Sequence, residues 1–216
     1  MSGNLDDLIN NIDFLDSEES KINEIERILK ILDSSKIDKY QLFYLKGFLW
    51  NLMPVESDER DFEVENNLKK SITLNGDNIY SKTELSFFYF DKKKYEKVVE
   101  LLKELDLSFF ERNNQLWKSL KLQEILAVSE LYILKSFDKE ISDRFLELIS
   151  SYSFLPEEEL AVPRELVFGI YENREKSGVK SIFNNVYSMI TNTGQREFFS
   201  DDIRKKFMIL ISEGYS

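Results

Sequence analysis

Carboxylates are the side chains through which this sequence could do acid–base or metal chemistry, because it contains 40 aspartates and glutamates but no histidine and no cysteine. The absence of histidine removes the commonest general base and the commonest zinc ligand. The absence of cysteine removes thiolate nucleophiles and disulfides. Nucleophilic sites of the Ser–His–Asp or Cys–His kind are therefore excluded. The enzymatic chemistry that we weigh is that of carboxylates, alone or with a hard divalent cation.

The sequence does not single out a catalytic pair among these carboxylates. Acidic runs occur at Glu18-Glu19, at 157–159 and at Asp201-Asp202, but acidic residues are also favoured at helix starts, where they meet the positive end of the helix dipole. The sequence contains no EF-hand loop and no glycine-rich nucleotide motif. We predict no catalytic residue, no metal ligand and no cofactor, and we keep a carboxylate- or metal-dependent enzyme as an alternative of a different class.

The net charge of −11 bears on the kind of partner. Residues 1–76 hold 16 acidic and 9 basic side chains, whereas residues 77–216 hold 24 and 20. The basic runs at 92–94 and 204–206 are short and bracketed by acids. Nucleic acids require clustered Lys and Arg, so we predict no nucleic-acid partner and favour a basic protein. The alternative is that the acidity only maintains solubility.

Two features of the sequence predict a cytoplasmic chain without membrane contact. The first 20 residues are acidic and lack the basic and apolar regions of a signal peptide. No uncharged run approaches the roughly 20 residues that a membrane-spanning helix needs.

The elements that would position any site are helices. Glycine and proline number 7 and 3, and apolar residues recur at three- and four-residue steps along most of the chain. This pattern predicts one all-α domain of antiparallel helical hairpins over residues 1–216. The expected helices run near 17–33, 38–53, 64–74, 78–90, 92–105, 108–134, 138–153, 156–173, 176–192 and 200–213.

Several helix ends have recognisable sequence signals. Ser17 or Asp16 and, later, Asn78 are predicted N-caps, and Pro54 ends the second helix before a turn-like charged stretch over 55–61. Gly76 is predicted in the left-handed conformation that often follows a helix. Ser108 and Glu111 have capping-box spacing ahead of a long helix.

Residues 79–107 pair a first helix carrying Leu85, Ser86 and Tyr89 with a second helix carrying Tyr95 and Val98. This combination resembles the tetratricopeptide repeat, a helix–turn–helix unit of about 34 residues. An earlier segment resembles the same repeat at Gly47, Trp50, Val64, Leu68 and Ser71. Matching it to the repeat length requires about five extra residues near 55–60. The resemblance implies a right-handed α-solenoid or α–α superhelix, with capping helices over 1–36, repeat hairpins over 37–112 and further hairpins over 113–216. An unrelated helical bundle is the alternative.

The same resemblance implies a groove, lined by the first helices of the repeats, that receives a partner. Carried over to this chain, its positions are Gln41, Tyr44, Phe48, Asn51, Tyr80, Thr83, Phe87 and Phe90. Aromatic residues there would anchor a partner, although adjacent ones cannot all face the same way on a helix, so about half of the run 87–90 belongs to the core. The acidic residues Glu56, Asp58 and Glu59 complete the predicted partner-binding set.

These observations favour a non-catalytic protein that binds another, basic protein. Bacterial immunity proteins are similar in being small, cytoplasmic and acidic, each matched to one toxin domain, and we expect by analogy that this chain neutralises such a domain. A repeat-type chaperone for a secreted protein is the alternative within the same class.

Overall fold

The computed structural model describes residues 8–134, 139–152, 164–176, 178–179, 209 and 212. All regular structure in these residues is helical, and no strand occurs among them, so the prediction of an all-α chain is confirmed there. The chain divides into two compact units, Met1–Lys92 and Lys93–Ser216. The boundary between them falls inside the segment 37–112 in which repeats are predicted.

In the described residues of the first unit, a 3-10 turn over Ile12–Phe14 precedes four α-helices. These are α1 (Glu18–Asp33), α2 (Lys39–Asn51), α3 (Asp58–Leu74) and α4 (Ile79–Asp91). The starts of α1, α3 and α4 are fixed by short polar side chains that accept the backbone N–H three residues on, whereas α2 has no side-chain cap. Ser17 Oγ accepts from Ser20 at 3.1 Å, and Asn78 Oδ1 accepts from Ser81 at 3.2 Å, which confirms both predicted N-caps.

One apolar core cluster of the first unit lies between α1, α2 and the 3-10 turn. Its buried members are Ile12, Ile25, Ile28, Leu32 and Leu49. The α1 residues recur at three- and four-residue steps, so they form one stripe along that helix. Leu42, Leu45 and Leu52 of the α2 segment pack against the same cluster.

A close helix contact of this unit joins α2 to α3 at Gly47. A Cβ atom at Gly47 would lie 2.7 Å from Leu68 Cγ and 3.2 Å from the Leu68 backbone nitrogen. Only a residue without a side chain allows the two backbones this near to each other. The glycine and the leucine belong to the set on which the earlier repeat unit is predicted.

A buried polar junction joins α2, α3 and α4. The Ser71 hydroxyl donates to the Tyr40 carbonyl at 2.7 Å, and it accepts from the Ser81 hydroxyl at 2.8 Å and from Asn78 Nδ2 at 3.1 Å. Because each of these polar groups has a partner, the small residues can be buried without an unpaired donor. The junction fixes the start of α4 against the other two helices.

The described residues of the second unit are arranged around one long helix. They form α5 (Tyr95–Lys103), α6 (Ser108–Arg112), α7 (Leu116–Ile133), α8 (Lys139–Tyr152) and α9 (Arg164–Glu172). Each of the other four packs against α7. Consistent with that position, α7 is buried on most of its sides, including at Ser119, Glu124, Ser129 and Glu130.

The carboxyl end of α7 is held by groups from α5, α9 and the segment after α9. The Tyr95 and Tyr132 rings stack at 4.2 Å with an angle of 3° between them, and the Tyr132 hydroxyl donates to Glu172. Lys176 Nζ donates to the carbonyls of Leu131 at 2.7 Å and Leu134 at 2.8 Å. A cation suits this position because the last carbonyls of a helix have no partner within it.

Four expectations about helix ends are wrong. Ser108 and Glu111 do not form a capping box, because the N-cap of α6 is Leu107 and no side chain caps that helix. α3 begins at Asp58, because Ser57 Oγ accepts from the Arg60 N–H at 3.1 Å and caps a helix where a charged turn is predicted. Gly76 does not have a positive φ. The long helix expected over 108–134 is broken after α6, where Asn114 adopts a φ of 58°.

Other expectations fall on residues outside the described ones. They include the helices near 176–192 and 200–213, the acidic runs at 157–159 and Asp201-Asp202, and the basic run at 204–206.

Gly47→Ala is expected to lower the free energy of unfolding by about 1–3 kcal/mol, because the added methyl group overlaps Leu68 in a closely packed contact. This loss should exceed the gain of up to about 1 kcal/mol that alanine brings to a helix interior. Urea denaturation followed by circular dichroism measures the change.

Gly76→Ala is the matched control, because no atom lies within 4 Å of its added Cβ. We expect its stability to stay within about 0.5 kcal/mol of the parent. Equal effects of the two substitutions would contradict the close contact between α2 and α3.

Candidate partner-binding face

Three of the aromatic side chains predicted to contact a partner lie together on the first unit. The Tyr44 and Phe48 rings, one turn apart on α2, stack at 6.1 Å. The Tyr80 ring, at the start of α4, lies 6.2 Å from that of Tyr44. Tyr80 remains 39% exposed, whereas the other two are half-buried. These three residues form what we call the α2–α4 aromatic face.

The electrostatics of this face favour neutral tyrosine. Burial raises the pKa of Tyr44 well above its ordinary value, and the negative charge of Glu84 and the neighbouring Tyr80 raise it further. Glu84 follows Tyr80 by four residues, so the two side chains share one side of α4. The buried Glu84 carboxylate therefore lies near the aromatic rings.

The other predicted groove positions differ in their surroundings. Gln41 is exposed and Asn51 is half-buried, with its backbone carbonyl accepting from Arg60 Nη2 at 2.8 Å. Thr83 is fully buried, and its hydroxyl has no hydrogen-bond partner. The structure therefore does not present that hydroxyl at the surface.

The aromatic run 87–90 divides as helix geometry requires. Phe88 and Tyr89 are buried, and Phe87 and Phe90 are half-buried, which confirms that about half of the run belongs to the core. The Tyr89 hydroxyl donates to Glu65 of α3 at 2.9 Å. This bond ties α4 to α3 on the side away from the predicted groove positions.

The three predicted acidic contacts lie around the start of α3. Glu56, Asp58 and Glu59 are all exposed. Glu56 is 4.0 Å from the ammonium of Lys92, whose closer partner is Asp61 at 2.7 Å. The first turn of α3 holds Asp58, Glu59 and Asp61, so part of their contribution is to stabilise the helix through its dipole.

Sequence reasoning missed Phe62 as a surface residue. It belongs to α3 and is 64% exposed. The signal was available once the helix start is placed at Ser57, because Phe62 precedes the buried Val64 by two residues and so points about 200° away from it. Treating 55–61 as a turn hid this relation.

The buried carboxylates of the second unit hold helices together. Glu124 of α7 is fully buried, and its Oε1 accepts the backbone N–H of Leu166 at 2.9 Å. Leu166 lies in the first turn of α9, where backbone N–H groups lack partners within the helix. The other oxygen of Glu124 accepts from Lys121 at 3.0 Å. Glu124 thus caps α9 from a neighbouring helix.

Glu130, two turns further along α7, joins α5 and α8. Its carboxylate lies 3.1 Å from Lys103 Nζ and pairs with Arg144 on the other side. Within the described parts of the chain, no three acidic side chains come close enough together to hold a metal ion. The two most buried acids of α7 therefore bind backbone and cations instead of one another.

Known proteins give no assignment. No protein-family model matches the chain, and neither a curated protein nor a solved structure is significantly similar to it. In the part of the chain that the structure describes, none of the helices combines the length and the apolar composition needed to cross a bilayer.

Glu124→Ala is expected to lower the free energy of unfolding by about 2–3 kcal/mol, because it leaves the buried Leu166 N–H without an acceptor and removes a partner of Lys121. Glu124→Gln keeps an oxygen acceptor and should cost about 1 kcal/mol. Urea denaturation measures both losses. Hydrogen exchange of the Leu166 amide should accelerate in the alanine variant only; unchanged exchange there would refute the cap.

Tyr44→Phe is expected to reduce the dependence of stability on pH above 10. Unfolded tyrosine loses its proton near pH 10, but folded Tyr44 keeps it because its pKa is raised. The free energy of unfolding therefore falls as the pH increases past 10, by up to about 1.4 kcal/mol per pH unit for one proton. Urea denaturation at pH 8, 10 and 11 compares the two proteins. Parallel profiles would contradict the raised pKa.

Proposed function

We propose that this chain is a non-catalytic binding protein that recognises a basic protein domain through the α2–α4 aromatic face, in the manner of an immunity protein that neutralises a toxin. The observation that carries the proposal is the contact of the exposed Tyr80 ring with the half-buried Tyr44 ring, which itself stacks on Phe48. Partly exposed aromatics backed by buried ones are the usual anchors of protein interfaces.

The helix arrangement of the first unit supports a repeat-like interpretation. α2 packs along α3, and α4 packs on both, as consecutive helices of a tetratricopeptide-like array would. We propose that α2–α3 forms one hairpin of a right-handed α-solenoid and that α4 begins the next. The proposed groove positions then belong to the two first helices, α2 and α4, which lie side by side.

The charge supports a basic partner. The first unit holds 19 acidic and 11 basic side chains, so a basic protein would be attracted to it over distances of about 10 Å at moderate salt. The aromatic face would supply affinity after contact, because the removal of ring surface from water is worth about 25 cal/mol per Å². The acids would mainly set the rate of association and its salt dependence.

The buried acids do not favour the enzymatic alternative. Glu124 and Glu130 have structural partners on neighbouring helices, which leaves them poorly placed to act on a substrate. We therefore expect no hydrolytic activity of the chain by itself.

Tyr80→Ala is expected to weaken binding to the cognate partner by at least about 30-fold, which corresponds to about 2 kcal/mol for an interface anchor. The partner is first isolated by affinity capture from the native host at moderate salt and then purified as a folded domain. Titration calorimetry measures the affinity of the parent chain and of the variant for this domain. Thermal unfolding checks that the two proteins are equally stable.

Trp117→Ala is the matched control, since Trp117 is a similarly exposed aromatic, at 43%, on the second unit. It should leave the affinity unchanged. Growth of cells that express the partner distinguishes an immunity role: the parent chain should protect them and Tyr80→Ala should not. A partner that binds only when unfolded would support a chaperone instead.

A further inference from the structure

A second surface suited to a basic protein lies on the outer side of α3. Phe62 is 64% exposed and belongs to the face of α3 opposite the buried Val64 and Leu68. Single exposed apolar side chains are common on protein surfaces. Phe62 differs from them because its immediate neighbours are carboxylates. Asp58 and Glu59 precede it by four and three residues, so they occupy the same side of the helix one turn earlier.

These groups are available for contact. In the described structure, neither Asp58 nor Glu59 has a side-chain hydrogen bond or an ion pair, and no cation lies over the Phe62 ring. Cations near this segment are engaged elsewhere. Arg60 Nη2 donates to the Asn51 carbonyl at 2.8 Å, Lys69 pairs with Glu65 at 2.6 Å, and Lys92 pairs with Asp61 at 2.7 Å.

Helix capping does not account for this arrangement. Ser57 already caps α3 through its hydroxyl, and the positive end of a helix dipole amounts to about half an elementary charge. Glu56, Asp58 and Glu59 together carry a much larger negative charge. A net negative surface therefore remains around the exposed ring, and an exposed ring within such a surface attracts cations through its face.

We propose that Phe62, Asp58 and Glu59 form a docking surface for an arginine of the basic protein partner. Side chains one turn apart have Cβ atoms about 5–6 Å from each other, and a guanidinium binds an aromatic face within about 6 Å of its centre. One arginine can therefore stack on Phe62 while it donates to a carboxylate one turn away. The inference rests on the proposed function for the nature of the partner but uses a different helix from Tyr80.

The test uses the full-length ¹⁵N-labelled chain and a capped Gly-Arg-Gly-Arg peptide, with its Gly-Lys-Gly-Lys counterpart. We expect amide chemical shifts to change mainly over residues 58–65, with the lysine peptide bound about two- to three-fold more weakly. Phe62→Ala and Phe62→Leu should both weaken the arginine peptide about five-fold, because leucine keeps an apolar side chain but removes the ring. Shifts spread over all acidic surfaces would overturn the proposal.

Two matched controls separate this surface from general acidity. Leu74→Ala removes a side chain that is 51% exposed at the other end of the same helix and should leave the peptide affinity unchanged. The double substitution Asp58→Asn with Glu59→Gln should weaken binding by five-fold or more, whereas Glu18→Gln with Glu19→Gln, which removes the same charge from the start of α1, should not. Equal losses from the two pairs would refute the docking surface.

The proposed function and this inference fail in different ways. The peptide titration needs no cognate partner, and Tyr80→Ala should not change it. If Tyr80→Ala abolishes partner binding but Phe62→Leu changes neither the peptide nor the partner affinity, the arginine surface is wrong and the aromatic face stands. If Phe62→Leu weakens both ligands and Tyr80→Ala weakens neither, the arginine surface stands and the proposed function must move away from the α2–α4 aromatic face.

Discussion

The close approach of α2 to α3 is the contact on which the rest of the first unit depends. Gly47 has no side chain, so Leu68 lies directly against its backbone, and the Ser71 hydroxyl one turn later reaches the Tyr40 carbonyl. α4 joins this pair through Ser81, and its first turn thereby places the Tyr80 ring beside Tyr44. Small residues on the buried sides of the helices thus determine which large residues meet on the exposed side.

The acidic composition serves different purposes in different places. Glu124 and Glu130 are buried in α7 and join helices that are distant in sequence; their charge is matched by backbone N–H groups and cations. Asp58 and Glu59 remain exposed beside Phe62. Charge counted over the whole chain cannot separate these two roles, because burial decides between them and burial depends on tertiary packing.

Sequence patterns predicted most of what depends on neighbouring residues. The N-caps at Ser17 and Asn78 and the division of the run 87–90 follow from local hydrogen bonding and helix geometry. The start of α3 was missed because its first turn is so charged, although Ser57 and the acids that follow form a favourable helix start. The bond from Leu166 to Glu124 spans 42 residues, and no local pattern encodes it. The same limit applies to the candidate binding face. The sequence assigns aromatic residues to α2 and α4, but the contact between Tyr44 and Tyr80 depends on how the two helices pack.

Some of the side chains and backbone groups that hold α7 come from residues that the ribosome makes much later than α7 itself. The residues of the first unit's buried junction all lie between Tyr40 and Ser81, so that junction can close while the second unit is still being made. α7 must wait, because the acceptor carbonyl of Leu131 meets Lys176 only 45 residues later. During that interval the buried carboxylate of Glu124 also lacks the Leu166 N–H. The nascent second unit therefore passes through a stage in which its central helix exposes apolar surface, and a pause in translation before residue 176 would prolong exposure to aggregation and to proteases.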